Sequence, residues 1–160
     1  MSKRVGIGVV GCGSIGIRGA LDHFILPDVA DQVHLAACCD PAPGRAAAAA
    51  EKYGVAKAYE TEDELFADPN VDMVVICSPI GLHYEQGIKA IEAGKHIHFN
   101  KTMTVTSGEA LDLIARAQAK GVHLVASPGQ MLRPTNHKIR ELVRGGALGK
   151  LSWAVAGAAF

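Results

Sequence analysis

Three glycines and two charged side chains carry the chemistry that can be read in this chain. Gly11-Cys12-Gly13-Ser14-Ile15-Gly16 spells G-x-G-x-x-G directly behind Val5, Ile7, Val9 and Val10, whose β-branched side chains read as a short buried strand. Ile15, Ala20, Leu21, Phe24 and Ile25 follow in a helical pattern, so the glycines stand where a strand turns into a helix. In such a turn Gly11 permits the tight bend, Gly13 lets the backbone come close to a pyrophosphate, and Gly16 lets the helix pack on the strand. The phosphates would lie on the free N–H groups around Ser14 and Ile15, at the positive end of the helix dipole. A second strand, Val33–Cys39, ends at Asp40, 24 residues beyond Gly16, against the roughly 20 expected of a ribose-binding acid. A carboxylate there accepts hydrogen bonds from both adenosine ribose hydroxyls and repels a 2′-phosphate, which points to NAD rather than NADP. Arg45, just beyond, reads as a solvated residue of the next helix rather than a receiver of that phosphate. A glycine turn by itself arises by chance in a chain with 18 glycines. Strand, turn, helix and acid together identify a dinucleotide site. The second charged residue, Lys101, follows the end of a predicted strand, where ligands bind on parallel sheets.

The elements that must position these residues alternate. Arg45–Tyr53, with five alanines in a row, predicts a helix closed by Gly54. Lys57–Tyr59 reads as a short strand. Thr61 and Glu64 form a capping box for a helix over 62–66, and Thr106 and Glu109 a second one for a helix running to Lys120. Strands are expected at 72–77, His96–Phe99 and 122–126, with a helix over 82–93 between the first two. Pro134–Arg144 reads as a last helix with proline in its first turn. Strands alternating with helices of this length predict right-handed βαβ units, and so an α/β fold with a Rossmann-type doubly wound parallel sheet. Ligand residues then belong at the strands' carboxyl ends, namely Gly11, Asp40, Ser78, Asn100 and Ser127.

Composition narrows the partners. Half the 160 residues are hydrophobic but only 5% are aromatic, so the core is made of Val, Ile, Leu and Ala, which suits helices on a parallel sheet. Sixteen basic and 16 acidic side chains cancel, leaving no field that favours nucleic acid or an anionic membrane. Lys138, Arg140, Arg144 and Lys150 form a basic run that reads as an exposed helix face. No apolar run approaches the ~20 residues of a membrane span. The start of the chain lacks a signal-peptide cleavage pattern. Cys12, Cys38, Cys39 and Cys77 form no C-x-x-C pair and read as small core residues of a reducing, cytoplasmic protein, with Cys12 the most exposed. His96 and His98 share a strand face, but with Cys77 they lack a third ligand at metal-site spacing, so no metal is expected.

From Val5 to about Trp153 the chain resembles the N-terminal half of the glucose-fructose oxidoreductase / inositol dehydrogenase / rhizopine-catabolism (Gfo/Idh/MocA) oxidoreductases. The resemblance lies in the glycine turn, in Cys39-Asp40-Pro41, and in the run from Val71 to Pro79 followed by His83. It continues in Ala93-Gly94-Lys95-His96-Ile97 and in the stretch from Ile139 to Lys150. It implies hydride exchange between NAD(P) and a carbinol carbon of a sugar, cyclitol or related polyol. By the same resemblance Ser78, Pro79 and His83 line the cofactor, and Gln130 occupies a binding turn after the sixth strand. Asn100-Lys101-Thr102 falls on the family's Glu-Lys-Pro turn. Lys101 matches and is the expected catalytic residue, while Asn100 can hydrogen-bond the cofactor but brings no negative charge. The family also carries a second α+β domain, an open sheet that covers the nicotinamide. Residues 1–149 are therefore expected to form the cofactor domain and 150–160 the first strand of a second domain that this chain lacks. The chain alone would then be inactive, and its parent a homo-oligomer through the missing domain. A non-catalytic dinucleotide-binding module or redox sensor is the competing reading. The lost Glu and Pro, and the absent second domain, favour it slightly, while the unbroken turn-and-strand pattern and the retained Lys101 favour the enzyme.

Overall fold

A parallel sheet needs cover on both faces, and the apolar runs of this chain point side chains both ways. The structure is a computed structural model that describes residues 3–127, 129–155 and 157. Its six strands are β1 (Val5–Val10), β2 (Val33–Cys39), β3 (Lys57–Tyr59), β4 (Met73–Ile76), β5 (His96–Phe99) and β6 (Leu124–Ala126). Every pairing is parallel, in the order β3-β2-β1-β4-β5-β6. The order reverses between β1 and β4, which opens a crevice at their carboxyl ends.

Alternation along the strands divides the core in two. Ile7, Val9, Leu35, Cys38 and Val75 pack on one face with Ala20 and Leu21 of helix α1, which runs through Ser14–Gly16, Ile17–Leu21 and Asp22–Phe24. Ala46, Ala49 and Tyr53 of α2 (Arg45–Tyr53) complete that layer. Val10, Val74, Ile76, Ile97 and Phe99 face the other way. They meet Leu65 and Phe66 of α3 (Glu62–Ala67), Ala90 and Ile91 of α4 (His83–Glu92), and Leu113 and Ala117 of α5 (Ser107–Lys120). Both capping boxes form, so the threonine and glutamate pairs satisfy the first N–H groups of α3 and α5.

The departures from expectation sit at element edges. The middle of α1, Ile17–Leu21, is a π segment, a local widening often found near functional sites. Strands β4 and β6 are shorter than their apolar runs, because a strand extends only where its neighbour pairs: Met73 to Ile76 match His96 to Phe99 one for one. A 3₁₀ turn, Ile80–Leu82, precedes α4.

Residues from Pro128 onward form a separate unit. It contains a 3₁₀ turn, Gly129–Leu132, and helix α6 (Pro134–Arg144), whose basic residues are exposed as expected. The strand expected from residue 150 is not formed over 151–155, where Leu151, Trp153 and Val155 are exposed. A strand needs a neighbour to take its N–H and C=O groups, and none pairs with this stretch among the described residues. Ala156 and residues 158–160 lie outside the described residues.

Candidate functional site

The glycine turn closes the top of β1. Gly11 takes φ 91°, a left-handed conformation that favours glycine, and its N–H donates to the Cys39 carbonyl at 2.9 Å. A Cβ on Gly16 would lie 1.8 Å from the Gly11 carbonyl oxygen, so the helix sits on the strand only because Gly16 has no side chain. Gly13 differs: its backbone is extended, and a Cβ there would meet nothing within 4 Å. The open space lies at the N-terminus of α1, beside exposed Ser14 and Ile15. Ser14 Oγ accepts from the Arg18 guanidinium at 2.7 Å, which brings a cation to the same rim. Open backbone, a helix N-terminus and a nearby cation fit a pyrophosphate.

Asp40 stands beside the turn but is 4% exposed, and its oxygens already have partners. Oδ2 accepts from the Cys12 N–H and Oδ1 from the Ala42 N–H, both at 2.9 Å. Arg45 donates to the same carboxylate at 3.2 Å. Arg45 is exposed at the start of α2 as expected, and its guanidinium also pairs with Asp40 and sets a positive charge beside the expected ribose site. Arg45 also reaches Oδ2 at 3.4 Å, so the about four lone-pair sites of the carboxylate are taken; Asp40 ties the glycine turn to the end of β2, and a ribose hydroxyl bound there would displace Arg45. Next to it opens a cavity of about 310 Å³, walled by Gly11, Pro41, Thr61, Leu82, Gln86 and Lys89 among others. Sequence reading missed Gln86, a buried side chain that accepts from Ser78 Oγ and donates to Glu62 at 2.6 Å. Its spacing of three from His83 on one helix face was the available signal.

The remaining residues gather at the ends of β4 and β5. Pro79 caps the 3₁₀ turn before α4. His83 is 2% exposed, with Nε2 2.9 Å from the Ser78 carbonyl oxygen and Nδ1 2.8 Å from that of Thr102. Both ring nitrogens thus face carbonyl oxygens of the protein; a neutral imidazole donates to one of them and only an imidazolium to both, and the ring is turned inward rather than toward open space. Asn100 donates its N–H to the Ile76 carbonyl at 3.0 Å, and its Oδ1 accepts from the Lys101 N–H at 2.9 Å. Its amide also sits against α1, for a Cβ on Gly19 would lie 2.5 Å from Asn100 Nδ2. Lys101 is exposed at this end of the sheet, and the peptide bond from Lys101 to Thr102 is cis. The side chain of Gln130 lies outside those described.

Cys12 is 2% exposed rather than open, because the turn folds its side chain into the core, where its thiol donates to the Cys39 carbonyl. The neighbouring Cys38 side chain, ahead of burial, raises the Cys12 thiol, while Cys12 lowers that of Cys38. Burial pushes Cys39 up to about 12 and Cys77 up to about 11. Cys12, Cys39 and Cys77, raised in this way, stay protonated and are poor nucleophiles. Among the described residues no group of three His, Cys, Asp or Glu could hold a metal ion, and no helix is long and apolar enough to cross a membrane.

Comparison with known proteins agrees with this geometry. A family model described as an oxidoreductase family with an NAD-binding Rossmann fold, that of the Gfo/Idh/MocA proteins, matches residues 5–127. D-xylose 1-dehydrogenase (NADP⁺) of Hypocrea jecorina is 38% identical over 101 residues, 63% of this chain and 26% of that enzyme. Myo-inositol 2-dehydrogenase of Thermotoga maritima is 32% identical over 144 residues, 90% of this chain and 42% of the enzyme. The crystal structure of the WlbA dehydrogenase of Chromobacterium violaceum, with NADH and UDP-GlcNAcA, superposes with a TM-score of 0.82 at 27% identity. It is covered over 93% of this chain and 42% of its own. The chain thus spans less than half the length of these relatives.

Proposed function

The chain belongs to the Gfo/Idh/MocA oxidoreductase family, and on that footing we propose that it is the cofactor-binding part of an NAD(P)-dependent dehydrogenase. The reaction is hydride exchange with a carbinol carbon of a sugar, cyclitol or related polyol, the class to which the names of several relatives point. The observation that carries the reading is the glycine turn, with open backbone at Gly13 and Gly16 pressed on Gly11 beside the carboxylate of Asp40. A nicotinamide held here supplies the carbon that takes up or gives back the hydride. Within this chain, α1 holds the phosphates, Asp40 the ribose, and Asn100 the backbone of the turn that carries Lys101. The Lys101 ammonium donates to the reacting oxygen and stabilises the negative charge that grows on it.

NAD is the preferred cofactor on this reading, because the Asp40 carboxylate lies at the end of β2; the Arg45 guanidinium works against that preference. Four free, unpaired cysteines support a cytoplasmic setting. Since the relatives are more than twice as long, most substrate contacts and the contacts of a homo-oligomer are assigned to a further domain of the parent enzyme. Replacing Lys101 tests the core of the proposal. Lys101→Ala in the parent enzyme should lower kcat by about 10²-fold, the scale of one lost transition-state donor, with NAD affinity nearly unchanged. A near-normal kcat would defeat the assignment and favour a non-catalytic dinucleotide-binding module.

A further inference from the structure

We propose that His83 is a positioning residue for Lys101, an inference that rests on the role just given to that lysine. Lys101 is exposed, so its own side chain packs on little and its placement depends on its backbone. That backbone is held on both sides. Before it, Asn100 Oδ1 accepts the Lys101 N–H at 2.9 Å. After it, the Thr102 carbonyl oxygen lies 2.8 Å from His83 Nδ1. The other nitrogen of the same ring lies 2.9 Å from the Ser78 carbonyl oxygen, in the turn that follows β4. One buried ring thus stands between the turn after β4 and the turn after β5, across the carboxyl edge of the sheet, and donates to one of the two carbonyls as neutral imidazole and to both as imidazolium.

The ring is well placed to keep that arrangement rigid. It is 2% exposed and packs against Phe99, the last residue of β5, with ring centroids 5.5 Å apart. Its helix, α4, is anchored to the sheet by buried Ala90 and Ile91. Ser78 is fixed in turn through its hydroxyl, which reaches Gln86 one turn along α4. A small shift of Thr102 moves Lys101 with it. A misplacement of about 1 Å at a reacting group can cost about 10²-fold in rate. His83 thus acts on the reaction through Lys101 and touches neither hydride nor substrate.

A double-variant cycle on the parent enzyme separates this role from mere structural support. His83→Phe keeps a ring against Phe99 and removes both nitrogens. It should lower kcat about 10-fold or more while the dissociation constant for NAD, read by calorimetry, stays within about threefold. Combined with Lys101→Ala it should cost nothing further, since the two act as one unit. Losses that multiply in the double variant, or an unchanged kcat in His83→Phe, would overturn the proposal while leaving Lys101 in place. A normal kcat in Lys101→Ala would remove both readings, so the two failures are told apart. If His83→Phe does not fold, His83→Leu, which also removes both nitrogens, carries the same cycle with the same outcomes.

Discussion

Gly13 and Gly16 lie three residues apart in one motif, yet they are glycines for different reasons, and substitution separates them. Gly16→Ala forces a methyl to within 1.8 Å of the Gly11 carbonyl oxygen, a contact with rigid backbone. It should destabilise the fold by about 1–3 kcal/mol or more, measured by urea denaturation. Gly13→Ala meets open space in an extended backbone and should leave stability within ~0.5 kcal/mol. Its methyl would instead stand where the pyrophosphate approaches, lowering NAD affinity about tenfold or more, about 1.4 kcal/mol. Equal effects of the two variants on both quantities would contradict the division of labour. On the proposed reading, the Asp40–Arg45 pair sets the cofactor choice at the same scale. NAD should bind more tightly than NADP in calorimetric titrations, and Arg45→Ala should weaken NADP while sparing NAD. NADP binding as tight as NAD would show that Arg45 outweighs the carboxylate.

Among the elements, the link from β3 to β4 depends on one buried carboxylate. Asp68, 3% exposed, closes α3 by accepting from the Asn70 N–H at 2.9 Å, from Tyr59 at 3.0 Å and from Lys57 at 3.1 Å. Burial alone would raise its pKa, but the Asn70 N–H, then Lys57 and Tyr59, outweigh it and bring the group down to about 2 from the usual 3.8. A carboxylate lowered in the folded state stabilises the fold above its unfolded pKa and loses that contribution as pH falls through the folded one. Asp68→Asn should therefore cost about 1–3 kcal/mol at pH 7. The gap between variant and wild type should close between about pH 4 and pH 2 in denaturation curves. A gap independent of pH over that range would mean that the carboxylate's charge plays no part.

At the scale of the molecule, the 160-residue chain should bind dinucleotide and turn over no sugar or polyol, because its relatives are more than twice as long. Steady absorbance at 340 nm with NAD and a panel of polyols would accord with this, and robust turnover by this chain alone would overturn it. The pattern of residues determined the sheet, since glycine spacing, capping boxes and apolar runs are local signals, each read within one element. β1, β2, β3 and β5 were legible to the residue for that reason. The ends of β4 and β6 were not, because pairing partners set them. Exposure was illegible as well: Cys12 and Asp40 lie in turns yet are buried, since the glycine turn and the end of β2 close over each other through the Cys12 N–H. Only the tertiary structure decided where the His83 ring points. A histidine at a helix start can face a ligand or the interior, and nothing in its neighbours along the chain tells which. The answer comes from Ser78 and Thr102, 5 and 19 residues away, whose carbonyls meet on one ring because β4 and β5 lie side by side.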